Sequence, residues 1–404
     1  MAPKRESDGR AEWLDVGTER PGATGTRWLV ALVALVVLVA VISVAVHRRT
    51  PVSAPDPQPT RPTPVVIPTM PPSPATRPTR TGPPPRSSVQ VTELARPLLS
   101  DAEAWEIVGW SDRGVIRVAP SDGILTRTSA PPLASSGPLT IATGRRVVIV
   151  RPADAVDGYV VRDGSTARRL SGSFARASFV FPGPDQDHLW TATSVEDDGA
   201  PGVRRITIAL VDLNGRATGE TLPLPHQGSE YSLQSDGLGY LVSAGTGGFY
   251  VARPAGLRKV TGGSLLAVGS TRWLTYDCDD RSRCRVNVVD RADGVRRQVP
   301  GAAPKMWAPG LISPDGRLAS VLTAEADGQV RLELIDLSTG ARRNVSIRIS
   351  TEQPQVQSWS PDGRWLLVLD ERGRLMAVDP ATAKVRLVSD AIPPMSVITI
   401  RSTS

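Results

Sequence analysis

The sequence predicts an all-β domain preceded by one membrane-spanning helix and a disordered stalk, and three observations support the domain. From residue 91 onward, short runs of Val, Ile, Leu, Thr and Trp alternate with turn residues at roughly 8–12-residue intervals. Small turn residues recur about every 45 positions, the length of a four-stranded propeller blade. The chain ends in a strand-like run, Ser396 to Arg401. We therefore predict a β-propeller over 91–404, with seven blades favoured and six or eight as alternatives.

The repeat is clearest in two series of turns. The turn before the last strand of each unit is predicted at Gly123, Gly164, Gly215, Gly256, Gly294, Gly340 and Ala383. The turn after the first strand is predicted at Gly144, Asp187, Gly237, Thr271, Gly316 and Gly363. Two series with a similar period indicate one structural unit repeated along the domain.

Two copies of a five-residue motif mark the last two units. They are Ser313-Pro314-Asp315-Gly316-Arg317 and Ser360-Pro361-Asp362-Gly363-Arg364, with weaker echoes at Gly183-Pro184-Asp185 and Ser235-Asp236-Gly237. The two full copies resemble the blade signature of TolB-like, WD-repeat-related propellers, and the excess of Arg over Lys is typical of high-GC bacteria. The resemblance covers only the last two units.

The motif has the composition of a tight turn. Serine can cap the turn, proline presets φ, and glycine takes a conformation that other residues avoid. We favour this structural role. The alternative makes Asp315 and Asp362 ligands near the central channel of the propeller.

Closure of the ring needs a strand at one end of the domain. An unpaired strand at the C-terminus would leave an exposed edge that promotes aggregation. We expect the strand at Ser396 to Arg401 to complete the first blade. The alternative closing strand is Gln90 to Thr92.

Residues 28–46 are predicted to form a transmembrane helix. These 19 residues carry no charge, and as a helix they would span about 28 Å, close to the thickness of a bilayer core. The alternative is a signal peptide cleaved near Ala45. The apolar run is longer than a typical signal sequence and follows 27 other residues, so we favour an uncleaved, single-pass anchor.

A proline-rich linker, 47–90, follows the anchor and separates it from the propeller. Residues 51–85 contain 14 prolines, a composition that excludes helix and sheet and favours extended polyproline II. Positive charges flank the anchor equally, so they do not set its orientation. The stalk, the β domain and the cysteine pair suit an extracytoplasmic location, which makes 1–27 a cytoplasmic tail at the cell membrane.

The two cysteines, Cys278 and Cys284, flank a short polar segment between two apolar runs. Opposite positions of a hairpin can be bridged, so we predict a disulfide. Metal binding is disfavoured because two thiols without a nearby histidine do not complete a tetrahedral site. A redox-active pair is disfavoured because it is usually spaced more closely.

Other site chemistry is sparse in the sequence. The chain carries a net charge of +7, but 91–404 is close to neutral, which argues against a nucleic-acid partner. There are three histidines, and no phosphate-binding loop, zinc-protease motif or nucleophile elbow. We predict no cofactor, no metal site and no catalytic residue.

These observations favour a binding or scaffolding propeller, held at the membrane, for a protein, a peptide or a cell-wall polymer. One alternative is a propeller enzyme, a lyase or hydrolase, that acts on an envelope glycan or lactone. Such enzymes gather His and acidic residues around the channel, and this chain has few His to supply. Another alternative is an envelope sensor that signals through the short cytoplasmic tail.

Overall fold

The computed structural model describes residues 88–94, 98–99, 105–133, 138–153, 157–196, 204–225, 233–301, 306–325, 329–349, 353 and 355–403. These residues form 29 strands and one short helix, and the strands assemble into six mainly antiparallel sheets of a propeller-like fold. The predicted all-β, propeller-like fold is confirmed at this level. The predicted cytoplasmic tail 1–27, the transmembrane helix 28–46 and residues 47–87 of the linker lie outside the described residues.

The first three sheets cover the N-terminal half of the domain. Sheet 1 contains β1 (Val89–Glu93), β2 (Trp105–Ser111), β3 (Gly114–Ala119), β4 (Ile124–Ser129) and, from the C-terminus, β29 (Val397–Ser402). Sheet 2 contains β5 (Leu139–Gly144), β6 (Val147–Pro152), β7 (Tyr159–Arg162) and β8 (Arg168–Arg169). Helix α1 (Gly172–Arg176) leads to sheet 3, which contains β9 (Phe179–Pro182), β10 (His188–Glu196), β11 (Arg204–Asp212) and β12 (Ala217–Leu222).

The other three sheets cover the C-terminal half. Sheet 4 contains β13 (Gln234–Ser235), β14 (Leu241–Gly245), β15 (Gly248–Arg253) and β16 (Gly256–Thr261). Sheet 5 has eight strands, β17 (Ser264–Val268), β18 (Arg272–Cys278), β19 (Cys284–Asp290), β20 (Arg296–Val299), β21 (Met306–Ile312), β22 (Leu318–Ala324), β23 (Val330–Asp336) and β24 (Arg342–Arg348). Sheet 6 contains β25 (Gln357–Trp359), β26 (Leu366–Leu369), β27 (Leu375–Asp379) and β28 (Lys384–Leu387).

The prediction of seven separate blades differs from this arrangement. Five sheets have four or five strands each, and the sixth, sheet 5, has eight. Sheet 5 is continuous because β17 and β21 pair in parallel, with Ala267 opposite Gly310 and Val268 opposite Leu311. At Gly310 a Cβ would meet the Ser320 carbonyl oxygen of β22, the next strand of the same unit, at 2.0 Å, so β21 and β22 leave no room for a side chain there. The parallel pairing of β17 with β21 leaves no signature in the repeat length.

Both strands that the sequence offered for closure join sheet 1. β29 pairs antiparallel with β2, from Trp110 opposite Val397 to Trp105 opposite Ser402, and contacts the first strands of sheets 2 and 6. β1 pairs antiparallel with β4 at the other edge of the same sheet. The two candidates are therefore not exclusive, because β29 supplies the inner strand and β1 adds a fifth strand outside.

The antiparallel order gives the domain two ends. The turns after the first and third strands of a meander lie at one end, which we call the motif end because both Ser-Pro-Asp-Gly-Arg turns lie there. The turn after the second strand lies at the other end, which we call the hairpin end because the Cys278–Cys284 hairpin lies there.

The core lies between neighbouring sheets. Some strands, such as β2, β6 and β26, are buried along their whole length, and others alternate between buried and exposed residues. Along β23, Val330, Leu332 and Leu334 are buried and Arg331 is exposed, as the alternation predicts. Glu333 departs from the pattern, because it is also buried and pairs with Arg342 at 3.5 Å. Burial of these apolar side chains is the main stabilising contribution to the sheets.

The predicted turns fall between strands or at a strand end, since Gly144 is the last residue of β5 and Gly256 the first of β16. All seven positions of the series that ends at Ala383 have positive φ, and Ala383 itself has φ of +56°. Glycine is favoured at such positions because it lacks the Cβ that makes them strained. The turn series therefore records a backbone requirement at the same point of each meander.

Within the described part of the chain, no helix is both long enough and apolar enough to cross a membrane.

Candidate functional site

The first motif copy forms the turn between β21 and β22. The Ser313 hydroxyl accepts the Leu318 N–H at 2.9 Å and donates to Asp315 Oδ1 at 2.6 Å. The same Asp315 oxygen accepts the Arg317 N–H at 3.0 Å. Gly316 has φ of +70°, where a residue with a Cβ would be strained. The Ser313 hydroxyl and Asp315 Oδ1 are thus both engaged within the turn itself.

The second copy, between β25 and β26, has the same geometry. The Ser360 hydroxyl accepts the Trp365 N–H at 2.9 Å and donates to Asp362, which accepts the Arg364 N–H at 3.0 Å. Gly363 again has φ of +70°. These contacts support the turn-forming interpretation of the motif. The other oxygen of Asp362 is buried without a hydrogen-bond partner and lies 4.0 Å from Nε of Arg364 in the same turn.

The echo at Gly183-Pro184-Asp185 lies at the corresponding place, between β9 and β10, but Gln186 there does not have positive φ and the side-chain contacts differ. Glycine replaces the capping serine, and His188 Nδ1 lies 2.8 Å from Asp185 Oδ1 instead. Partial burial alone would raise the pKa of Asp185, but the hydrogen bonds from His188 and the Asp187 N–H keep that pKa below its usual value. The Asp185–His188 pair therefore joins this turn to the first residue of β10.

The echo at Ser235-Asp236-Gly237 carries the most buried ion pair of the described residues. Asp236 is fully buried, and its carboxylate caps its own turn by accepting the N–H groups of Leu238 and Tyr240. Its other oxygen lies 2.5 Å from an Nη of Arg291, which is in the turn between β19 and β20. Arg291 also stacks over the Trp273 ring, 4.7 Å from its centroid. This contact ties sheet 4 to sheet 5 at the motif end.

The predicted disulfide between Cys278 and Cys284 is confirmed. The two residues are directly opposite each other, in the last pair of the β18–β19 ladder. At the tip, Asp279 accepts the N–H groups of Arg281 and Arg283 and the Nε–H of Arg283 at 2.8 Å. Those hydrogen bonds lower the pKa of Asp279. Residues 278–285 are all exposed, so this hairpin is rigid yet contributes nothing to the core.

A polar network fixes the base of the hairpin. Asp277 accepts hydrogen bonds from the hydroxyls of Thr261 and Thr275, the latter at 2.7 Å, and forms an ion pair with Arg296 at 3.2 Å. Burial would raise the pKa of Asp277, but these donors lower it, so the carboxylate is charged at neutral pH. Thr261 belongs to sheet 4, and the network therefore ties the hairpin to a second sheet.

A second charge network closes the ring beside the C-terminus. Arg401 of β29 pairs with Glu106 of β2 and, at 3.0 Å, with Asp163 of sheet 2. Arg117 of β3 completes the cycle, 3.1 Å from Glu106 and 2.6 Å from Asp163. Arg401 and Glu106 are both buried. Two positive and two negative charges alternate, so the network is neutral and joins three segments that are distant in sequence.

Two glutamines bridge the inner strands near this network. The side-chain oxygens of Gln353 and Gln355 accept the N–H groups of Leu139, at 2.6 Å, and Ile141, at 2.8 Å, on the inner edge of β5. The Gln355 carbonyl accepts the Ile398 N–H of β29 at 2.9 Å. Part of the polar surface around the centre of the domain is therefore used to satisfy neighbouring backbone groups.

Neither charge network was predicted from the sequence. Asp236 lies within a quoted motif echo, but its partner Arg291 is 55 positions away, and no spacing rule links them. The same is true of Arg401 and Asp163, which are 238 positions apart. An excess of arginine attributed to genome composition gave no signal that particular arginines are buried.

No group of three or more His, Cys, Asp or Glu side chains that could hold a metal ion occurs among the residues the structure describes. His188 is accounted for above, whereas His47 and His226 lie outside those residues.

Acid sensitivity is expected at Asp336, in the turn between β23 and β24. Hydrogen bonds from the Ser338 hydroxyl and from the N–H groups of Ser338 and Thr339 lower its pKa to about 2. An unfolded aspartate titrates near 3.9. The stabilisation is therefore complete above about pH 4 and is lost as the pH falls through about 2. We expect Asp336→Asn to lower the free energy of unfolding by about 1 kcal/mol at pH 7, with a smaller difference at low pH.

Urea unfolding at several pH values between 2 and 7 checks this expectation. Asp280→Asn removes a fully exposed charge and serves as the control. A difference between wild type and Asp336→Asn that stays constant from pH 7 to pH 2 would contradict the assignment.

Comparison with known proteins assigns no family. No protein-family model and no curated protein sequence matches the chain. An oligogalacturonate lyase in complex with manganese is similar in structure, with 11% identity, a TM-score of 0.45 and coverage of 74% of this chain and 97% of the other. TolB from Acinetobacter baumannii is 13% identical, with a TM-score of 0.36 and coverage of 73% of this chain and 64% of the other. A puromycin-hydrolyzing peptidase of Mycobacterium tuberculosis is 16% identical, with a TM-score of 0.44 and coverage of 70% of this chain and 50% of the other.

Proposed function

We propose that this protein is a single-pass membrane protein whose extracytoplasmic propeller binds a protein, a peptide or a cell-envelope polymer, and does so without catalysis. In this proposal 1–27 is a cytoplasmic tail, 28–46 the anchor, 47–90 the stalk and 91–404 the binding domain. The two Ser-Pro-Asp-Gly-Arg segments support a relationship to TolB-like propellers.

We further infer that the propeller has seven blades. Each half of sheet 5, β17–β20 and β21–β24, repeats the four-strand antiparallel order of sheets 2, 3, 4 and 6. The two halves are joined by only two pairs of residues in β17 and β21. Counting each half as one blade gives seven units that match the turn series in the sequence.

The disulfide-linked hairpin is the observation that carries the binding proposal. Its tip, residues 279–283, is exposed and is held by the disulfide, by the Asp279 hydrogen bonds and by the Asp277 network at its base. The disulfide and the Asp279 hydrogen bonds lie outside the core, because every residue from 278 to 285 is exposed. A loop ordered in advance loses less conformational entropy when it binds a partner. A rigid, charged and exposed tip is therefore suited to recognition.

Site-specific photo-crosslinking in intact cells tests this proposal. A photoreactive residue placed at Arg281, at the tip, is expected to give a crosslinked product in the full-length protein. The matched control is Glu220, which is exposed on β12 of sheet 3. Replacing both cysteines by serine is expected to lower the yield at Arg281, because the tip is no longer fixed.

Protease added to the same cells reports the location of the domain. We expect removal of the propeller and retention of a small membrane-bound fragment. Equal crosslinking at Arg281 and Glu220, or none at Arg281, would contradict the hairpin as the contact surface. A fully protected propeller would overturn the extracytoplasmic location.

A further inference from the structure

A cluster of arginines lies between sheets 4 and 5 at the motif end, on the opposite side of the domain from the hairpin. We call Tyr240, Arg253, Arg258, Trp273 and Arg291 the arginine wedge. Arg253 lies over the Tyr240 ring at 5.4 Å, and Arg258 and Arg291 lie over the Trp273 ring at 5.7 and 4.7 Å. Three of the four cation–π contacts among the described residues are therefore in this one place.

The positive charge of the wedge is not balanced. The carboxylate next to these arginines is that of Asp236, and it already forms an ion pair with Arg291. Among the described residues, neither Arg253 nor Arg258 forms an ion pair with a carboxylate, and Nε of Arg253 is buried without a hydrogen-bond partner. Burial and the neighbouring charges of Arg253 and Arg291 lower the pKa of Arg258. Crowded guanidinium groups of this kind are stabilised by an added anion.

The two arginines that have no carboxylate partner, Arg253 and Arg258, are positioned to share one anion. Arg258 Nη2 also donates to the Arg291 carbonyl oxygen at 3.5 Å. Arg258 is directly opposite Val251 in the β15–β16 ladder, and Arg253 is two residues from Val251 on the same strand. They are therefore diagonal neighbours on one face of sheet 4, with Cβ atoms roughly 7–8 Å apart, which long side chains can bridge. Guanidinium groups bind planar carboxylates through paired hydrogen bonds.

Two aliphatic side chains are exposed beside the wedge. Leu238 is 47% exposed in the turn that contains Asp236, and Val295 is 51% exposed in the turn that begins at Arg291. The Asp236–Arg291 pair joins these two turns. The other large apolar side chains that are exposed among the described residues are both on β1. An aliphatic pair next to unpaired positive charge is complementary to a segment that carries both acidic and aliphatic residues.

We propose that the arginine wedge, with Leu238 and Val295, is a docking site for an acidic peptide segment of a partner protein. A carboxylate of the segment binds between Arg253 and Arg258, and its aliphatic side chains pack on Leu238 and Val295. The site is separate from the hairpin on which the proposed function rests, so an experiment can contradict either proposal without contradicting the other.

Fluorescence anisotropy with full-length protein in detergent micelles tests the site. The probe is a fluorescein-labelled peptide, Ser-Leu-Asp-Leu-Glu-Ser, and its neutral counterpart is Ser-Leu-Asn-Leu-Gln-Ser. We expect the acidic peptide to bind more tightly than the neutral one and to weaken as salt rises. Arg253→Gln with Arg258→Gln is expected to lower the affinity about tenfold or more. Leu238→Ser with Val295→Ser is expected to lower it several-fold.

The control variant is Arg205→Gln with Arg297→Gln, which removes the same charge from exposed positions of sheets 3 and 5. It is expected to bind like wild type. The Leu238 and Val295 substitutions are at exposed positions, so they decide the question if the arginine variant does not fold. Equal binding of the two peptides, no binding of either, wild-type affinity in both wedge variants, or an equal loss in the control would each overturn the proposal.

Discussion

Deletion of residues 396–404 is expected to abolish cooperative unfolding of the domain or to cause its aggregation. The deletion removes β29, whose Val397 and Ile398 are buried, and burial of each such side chain contributes about 1.5–3 kcal/mol. It also removes Arg401 and leaves the buried Glu106 with fewer partners, a change that costs about 3–5 kcal/mol for a broken buried pair. Together these losses approach the total stability of a typical domain, about 5–15 kcal/mol.

Thermal unfolding followed by circular dichroism measures this effect. The matched control removes only residues 402–404, which leaves Val397, Ile398 and Arg401 in place, and little change is expected. If the longer deletion unfolds like the intact protein, β29 does not close the ring in the way that its pairing with β2 indicates.

Replacing Arg291 by alanine is expected to be the most damaging single substitution at the motif end. Asp236 is fully buried, so the substitution leaves a buried carboxylate without its charged partner, at a cost of about 3–5 kcal/mol. It also removes the stacking contact on Trp273. Combining Asp236→Asn with Arg291→Met removes both charges and is expected to recover part of the loss.

Urea unfolding gives the free energies for this comparison. Arg283→Ala serves as the control, because Arg283 and Asp279 form a largely exposed ion pair of similar geometry. Exposed pairs contribute roughly 0–1 kcal/mol. A loss at Arg291 as small as the loss at Arg283 would mean that water replaces the missing guanidinium group beside Asp236.

Local chemistry explains what the sequence could predict. The positive φ at Gly316 and Gly363 depends only on the residues of each turn. The turns and their spacing could therefore be predicted from the local sequence. The Cys278–Cys284 pairing is also local, because the two residues flank one short turn. The alternation of Val330, Leu332 and Leu334 likewise depends only on the pleat of one strand.

Contacts between distant segments could not be predicted in the same way. The parallel pairing of β17 with β21 depends on how closely two meanders approach, which no repeat length encodes. Arg401, Asp163 and Glu106 meet because the ring brings its two ends together. The arginine wedge was missed for the same reason, since its members come from two sheets. The prediction that one terminal strand closes the ring was incomplete, because both ends of the domain pair with sheet 1.

The placement of β1 determines how a mechanical load would enter the domain. All five residues of β1 are exposed, whereas Leu94, Leu98 and Leu99, which follow it, are buried in the largest apolar cluster. A pull on the chain before Val89 therefore acts first on the β1–β4 ladder and reaches the core only after that ladder has opened. The released strand would lengthen the tether by about 17 Å, at roughly 3.3 Å per residue, while the buried leucines still hold. β1 can thus detach under load while the other four strands of sheet 1 stay paired.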